Sequence, residues 1–252
     1  MSAAAKHLTP VTLELGGKSP AIVDRIHAAD LKVAVKRIAS AKWGACNGQA
    51  CIGVDYVLVE KEYASVLVES LKKCIHQFYG DNIKNLDNIA AIVNKHHFDR
   101  VRNLLKDPRV TASIIYGGSI DEENLIEFIR ARPKPLTLYA FTKNEALKKR
   151  ISLETSSGSL VFNDTMVQFV CDALPFGGVG PSGLGRYHGK YSFDAFSHEK
   201  AVLHRTFRLE LEPRHPPWND FKLDFVRLAY RFDYFGLILL LTGLRRLFRS
   251  CN

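Results

Sequence analysis

An α/β fold is predicted for this 252-residue sequence by three features. β-rich runs alternate with helical stripes along most of the chain, glycines stop several of those stripes, and the composition is that of a packed protein. The 46% hydrophobic and 24% charged residues are ordinary for a globular domain. Ten prolines and seventeen glycines are spread through the chain with no repeat period or low-complexity tract, which excludes a solenoid or a disordered chain.

Val11 to Leu15 alternates apolar and polar residues and meets Gly16-Gly17, which predicts a short strand ending in a turn. From Leu31, apolar positions Val35, Ile38 and Ala45 recur at near-helical spacing, and Gly48 follows. Tyr56 to Val59 is β-rich, and Tyr63, Val66, Leu71, Cys74 and Phe78 form a helical stripe that Gly80 can terminate. The alternation continues with helix at Phe98 to Leu105, strand at Val110 to Tyr116, helix at Asn124 to Arg130, strand at Leu136 to Phe141, helix at Glu145 to Leu153 and strand at Leu160 to Phe162.

The character changes after Ser192, and Pro213, Pro216 and Pro217 mark a break, with a boundary expected near Arg205. Beyond it Phe221, Phe225, Leu228, Phe232 and Phe235 step by 4, 3, 4 and 3, which predicts one amphipathic helix with Lys222, Asp224, Arg227 and Arg231 off its apolar face. Tyr234 to Leu244 carries no charge and is closed by Arg245, Arg246 and Arg249. Eleven residues are too few to span a bilayer core, which takes about twenty. Such a tail can lie in a membrane interface or cover an apolar groove on protein, and both readings stand.

Thirty-five basic against twenty-six acidic residues give a net charge of +9. No basic heptad helix, RNP-type aromatic motif or metal finger accompanies it, so nucleic acid is not an expected partner. Five cysteines, an odd number with no CxxC pair, argue against a disulfide framework or a zinc site, and no metal is expected. Met1 to Pro10 has no apolar stretch of secretory type, so a cytosol-facing protein is expected.

Three segments can carry chemistry. Gly178, Gly180 and Gly183 formally spell a GxGxxG, but Leu174-Pro175-Phe176 precedes them and Pro181 sits inside, so a tightly shaped loop is the better reading than a dinucleotide fingerprint. Cys51, in Asn47-Gly48-Gln49-Ala50-Cys51, falls between helix and strand, where a side chain can reach a cleft. Flanked by Ala50 and Ile52 it also fits a buried structural cysteine, the commoner case. Glu14 fits either a solvated strand carboxylate or, at a strand end followed by glycine, a ligand-facing base where α/β folds commonly bind. The residues give Gln49 no role.

Leu13-Glu14-Leu15-Gly16-Gly17-Lys18-Ser19-Pro20, Gly48-Gln49-Ala50-Cys51 and Leu174-Pro175-Phe176-Gly177-Gly178-Val179-Gly180-Pro181-Ser182-Gly183 resemble three aldehyde dehydrogenase motifs in the family's order. Asn94-Lys95-His96-His97-Phe98-Asp99-Arg100, Arg132-Pro133-Lys134-Pro135-Leu136 and Ser192 to His198 further resemble the class 3, fatty-aldehyde-type branch, especially its plant members. The resemblance implies NAD(P)-dependent oxidation of medium or long aliphatic aldehydes to acids. Cys51 attacks the carbonyl and passes through a thioester, Glu14 activates the hydrolytic water, and the Cys51 N–H forms part of an oxyanion hole. Gly16 and Phe176 are placed beside an NAD or NADP cofactor. A homodimer and an aldehyde substrate are implied with it, while contact of the tail with a membrane surface stays open from its pattern, and the expected location is cytoplasmic or the cytosolic face of an internal membrane.

Two departures from the family pattern are expected to matter. Residues 1–18 correspond to a remnant of the cofactor-binding domain, 19–205 to the catalytic domain and 206–252 to the tail. Most of the Rossmann-like cofactor domain is thus missing, with the asparagine that completes the oxyanion hole, and losing one such donor costs about 3 to 4 kcal/mol. Between Tyr116-Gly117-Gly118 and Glu127-Phe128-Ile129-Arg130, where relatives carry a Glu-x-Phe-Gly-Pro motif for the nicotinamide ribose, Leu125 runs into Ile126, which predicts an internal deletion.

Overall fold

Residues 1–44, 46–80, 90–105, 129–130, 132–208 and 210–244 are described by a computed structural model. Their contacts define two compact units, Met1–His198 and Glu199–Asn252, dividing ahead of the break expected at Arg205. The first unit holds strands β1 (Leu13–Glu14), β2 (Ser19–Val23), β3 (Val54–Val59), β4 (Thr137–Phe141), β5 (Ser159–Phe162) and β6 (Gly183–Leu184). Its helices are α1 (Ser2–Ala5), α2 (Ala28–Ala39), α3 (Lys61–Tyr79), α4 (Lys95–Leu105), α5 (Glu145–Glu154) and α6 (Gly189–Ala195).

A four-stranded sheet in the order β3-β2-β4-β5, parallel throughout, is the frame of this unit. Every residue of β2 and β4 is buried, as central strands covered on both faces must be. Their side chains alternate between two apolar layers. Ala21, Val23, Tyr139 and Phe141 pack with Leu31, Val35 and Ile38 of α2 and Leu67 of α3. Ile22, Leu138 and Ala140 pack with Leu147 and Ile151 of α5.

The strand-helix alternation agrees with the periodicity wherever both are described. The stripe from Tyr63 to Phe78 forms α3, and Gly80 stops it at φ 62 with its N–H on the His76 carbonyl. Asn144 caps α5, its side chain accepting the Leu147 N–H at 3.1 Å. The stripe expected to reach Ala45 instead ends as α-helix at Ala39 and continues as a π-turn over Ser40–Gly44. The predicted strand at 110–116, most of the predicted helix at 124–130 and the Leu125–Ile126 junction lie outside the described residues.

The central strand β2 was not anticipated. Ser-Pro-Ala-Ile-Val has no period of two, because both faces are covered, and Pro20 reads as a breaker. The structure accommodates that proline where the β2–β3 register is irregular, between Ser19 and Pro20.

In the second unit the amphipathic helix expected to run through Phe235 ends earlier, as α7 (Asp220–Tyr230), and the apolar run beginning at Tyr234 forms a separate short helix, α8 (Tyr234–Leu241). Phe232 turns left-handed at φ 54, and the Asp233 carboxylate accepts the Gly236 N–H at 2.8 Å, starting a new helix. Of the predicted stripe, Phe225 and Leu228 are buried on α7, together with Lys222, while Phe221 is 41% exposed. Lys222 is drawn inward by the His215 carbonyl at 2.8 Å and Glu212 at 3.4 Å. Phe232 and Phe235 are left 74% and 72% exposed. Among the described residues no helix is long and apolar enough to cross a membrane.

Candidate active site

Because β2 and β3 are parallel neighbours, with Ser19 opposite Val54, the segments leading into them arrive at the same edge of the sheet, with the strands about 5 Å apart. Glu14 lies five residues ahead of Ser19, and Cys51 three ahead of Val54. Both therefore sit at the amino-terminal edge of the sheet. This differs from the carboxyl-end placement that the general α/β rule gave Glu14, because the strand ending at Glu14 belongs to a separate ribbon.

That ribbon pairs β1 with β6 antiparallel, Leu13 opposite Leu184 and Glu14 opposite Gly183. The Leu15 N–H extends it by donating to the Ser182 carbonyl at 3.0 Å. Ser182 is itself buried, and its hydroxyl accepts the Val179 N–H at 2.9 Å and lies 3.3 Å from the Pro135 carbonyl. The GVGPSG turn is thus a backbone clamp that holds the strand carrying Glu14. Cβ atoms built on Gly177 and Gly178 would stand 2.1 and 2.2 Å from the Gly185 and Ser182 carbonyl oxygens, so this turn has no space for a phosphate.

Cys51 is exposed, which removes the buried structural reading. It follows a strained loop in which Cys46, Asn47 and Gly48 have φ of 52, 50 and 83. Gln49 closes that loop, its backbone N–H and side-chain amide both donating to the Cys46 carbonyl, at 3.1 and 3.0 Å. This is the role the sequence did not reveal. Beyond Cys51, Ile52 is anchored by Tyr139, whose buried hydroxyl donates to the Ile52 carbonyl at 2.7 Å. Replacing Tyr139 with Phe should cost about 1–3 kcal/mol in urea denaturation, because that carbonyl loses its donor in a closed environment.

Phe176 is 2% exposed and packs with Ile52 and Leu136. Its ring stacks on His188 and meets Phe169 and Tyr187 edge-on, so it forms a floor beneath the Cys51 segment. Gly16 is half-buried at φ 76, and nothing lies within 4 Å of a Cβ built there, so the backbone beside Glu14 is open.

Tyr187 joins these parts and was missed from the sequence. It exchanges two 2.9 Å backbone hydrogen bonds with Phe176. Its phenol is pushed up from 10.0 to about 12, first by burial, then by its hydrogen bond to the Glu14 carboxylate and that group's charge, and last by Cys51. One phenol therefore senses both predicted residues. A tyrosine raised in this way holds its proton more tightly in the folded state, so its contribution to stability is intact below pH 10 and is lost as pH rises through about 12. Tyr187→Phe should flatten the alkaline fall of stability across that window in urea melts. Buried Tyr139, also raised, should keep some of it.

Among the described residues no group of three or more His, Cys, Asp or Glu could hold a metal ion. A sequence profile of the aldehyde dehydrogenase family matches residues 1–130 and 120–202. Aldehyde dehydrogenase family 3 member F1 of Arabidopsis thaliana is 54% identical over 284 positions, covering 98% of this chain and 59% of the relative. Family 3 member A2 of Mus musculus is 40% identical, covering 90% of this chain and 54% of its own length. A solved Staphylococcus aureus AldH, described as a substrate-bound state, superposes with TM-score 0.76 at 36% identity, covering 91% of this chain and 57% of that one. The chain thus spans somewhat more than half the length of these relatives. The 284-position alignment also exceeds the 252 residues of the chain, so at least 32 positions (284 − 252) hold no residue of it.

Proposed function

This chain belongs to the aldehyde dehydrogenase family, and from that premise we propose that it oxidises aldehydes to carboxylic acids with NAD or NADP, Cys51 acting as nucleophile and Glu14 as general base. The observation that carries the proposal is the parallel pairing of β2 with β3, which brings the segments bearing Glu14 and Cys51, 37 residues apart in sequence, to the same edge of the sheet, where the Tyr187 phenol hydrogen-bonds Glu14.

In the proposed reaction the Cys51 thiolate adds to the aldehyde carbon, and the carbonyl oxygen becomes an oxyanion. The Cys51 N–H, which has no acceptor among the described residues, is available to donate to it. The covalent adduct keeps the reacting carbon fixed while hydride leaves it, and a thioester on Cys51 remains. Glu14, oriented by the Tyr187 hydroxyl, takes a proton from the water that attacks this thioester, releasing the acid and the Cys51 thiolate. The residues present fit the nicotinamide end of a dinucleotide through the open backbone at Gly16, with Phe176 supporting the site from below. When bound, NAD or NADP supplies the hydride acceptor.

Medium and long aliphatic aldehydes are the proposed substrates, in keeping with the apolar tail. The exposed Tyr230, Phe232, Phe235 and Ile238 also favour a second reading, a module that dimerises or rests on a membrane surface without turnover. On either reading the proposed location is cytoplasmic or the cytosolic face of an internal membrane. Calorimetric titration of the chain with NAD and with NADP, followed by NADH or NADPH formation from a fatty aldehyde, separates the two. Saturable binding with turnover supports the oxidoreductase, whereas folded protein with neither supports the module. Salt-sensitive partitioning onto anionic vesicles tests the membrane contact of the tail.

A further inference from the structure

A cavity of about 320 Å³ is lined by residues of α2 and α3. Leu31 and Val35 of α2 and Val66 and Cys74 of α3 form its apolar walls and floor. Lys32, Lys36 and Lys73 line it as well, their side chains exposed. No described carboxylate pairs with any of the three, because Asp30 is taken by Lys143 and Glu69 by Lys72. Lys36 also stands close enough to the Cys74 thiol to oppose the upward push of burial on it.

We propose that this groove binds a medium-chain aliphatic carboxylate, with its alkyl chain against Leu31, Val35 and Val66 and its head among Lys32, Lys36 and Lys73. The lining contains no acidic residue, so a cation finds no partner there, and no aromatic ring, so a nucleotide base finds nothing to stack on. What remains is an apolar slot edged by three ammonium groups, and its volume falls at the small end of ligand pockets. An aliphatic anion satisfies both halves at once, its chain covering Val66, which is 47% exposed, while its charge stays at the rim. The acids that the proposed oxidation would release belong to this class, but the chemistry of the groove stands without that reaction.

The test is calorimetric titration of the whole chain with octanoate, with acetate as the headgroup alone and octyl glucoside as an uncharged chain. Saturable one-to-one binding of octanoate, at least about tenfold tighter than either control, is the expected result. The double variant Lys36→Gln/Lys73→Gln should weaken it about tenfold, as two lost charge contacts at an exposed rim permit. Val66→Glu should weaken it as well, by placing a carboxylate against the chain at a position already 47% exposed and therefore compatible with folding. The proposal is overturned if octanoate does not bind, if either control binds as tightly, or if both variants bind octanoate like the parent. That last outcome would place the acid elsewhere, including the Cys51 site. Since none of these titrations needs NADH formation, loss of the proposed activity leaves the result readable.

Discussion

Cys51→Ala is expected to lower kcat/KM for aldehyde-dependent NADH formation by at least about three orders of magnitude while leaving the unfolding midpoint unchanged. The second half of that expectation follows from geometry, since the side chain is exposed and supports no packing. Glu14→Gln should behave differently. It keeps size and strand pairing but removes the base, so the first turnover should proceed and thioester hydrolysis should slow by about 10²- to 10⁴-fold. Stopped-flow absorbance would then show a burst of about one equivalent of NADH followed by a slow steady rate. Turnover surviving in Cys51→Ala would remove Cys51 as the nucleophile. A Glu14→Gln enzyme that loses the burst along with the steady rate would show that Glu14 acts before the thioester forms.

The parts of the fold that could be read in the sequence are those where a local pattern and the tertiary environment ask for the same thing. The helix α3 has a covered face and a wet face, so its stripe and its Gly80 stop are visible locally. β2 is covered on both faces, which erases the alternation that identifies a strand, and its proline points the wrong way. In the second unit the 3.6-residue spacing runs on through Phe232 although the helix does not, and the only local sign of the break is Asp233 as a new cap.

The site divides in the same manner. Glu14 and Cys51 stand in motif-bearing segments, and their segments converge because β2 and β3 pair in parallel, which a βα connection between them makes natural. Tyr187 has no such local mark. Its significance comes from two long-range pairings, β1 with β6 and Phe176 with Tyr187, which bring residues 173 positions apart into hydrogen-bonding reach. The tight packing of the glycine loop was legible, because Pro181 and the closely spaced glycines already pointed to a shaped turn, but the burial of Phe176 beside it was not.

That packing supports the prediction with the largest effect on stability. Gly183 lies opposite Glu14 in the ribbon at φ 150, and a Cβ there would stand 2.2 Å from the Leu13 carbonyl oxygen. The obstacle is backbone on the paired strand, so relief requires β1 and β6 to separate, breaking the register that holds Glu14 and the Leu15-to-Ser182 hydrogen bond. Adding an unfavourable φ for a side-chain-bearing residue to this clash, Gly183→Ala should cost about 3 kcal/mol. In a chain of this size that lowers Tm by roughly 6–12 °C. Gly180→Ala is the matched comparison, because its φ of 60 also disfavours alanine but the nearest atom to its Cβ is the flexible Lys134 Cδ at 3.7 Å. It should lose only about 1 kcal/mol. Equal losses would mean that backbone conformation, not the approach of the two strands, governs the turn. If the strands govern it, then below its melting range Gly183→Ala should also reproduce the burst and slow steady rate of Glu14→Gln, because the displaced group is the same carboxylate.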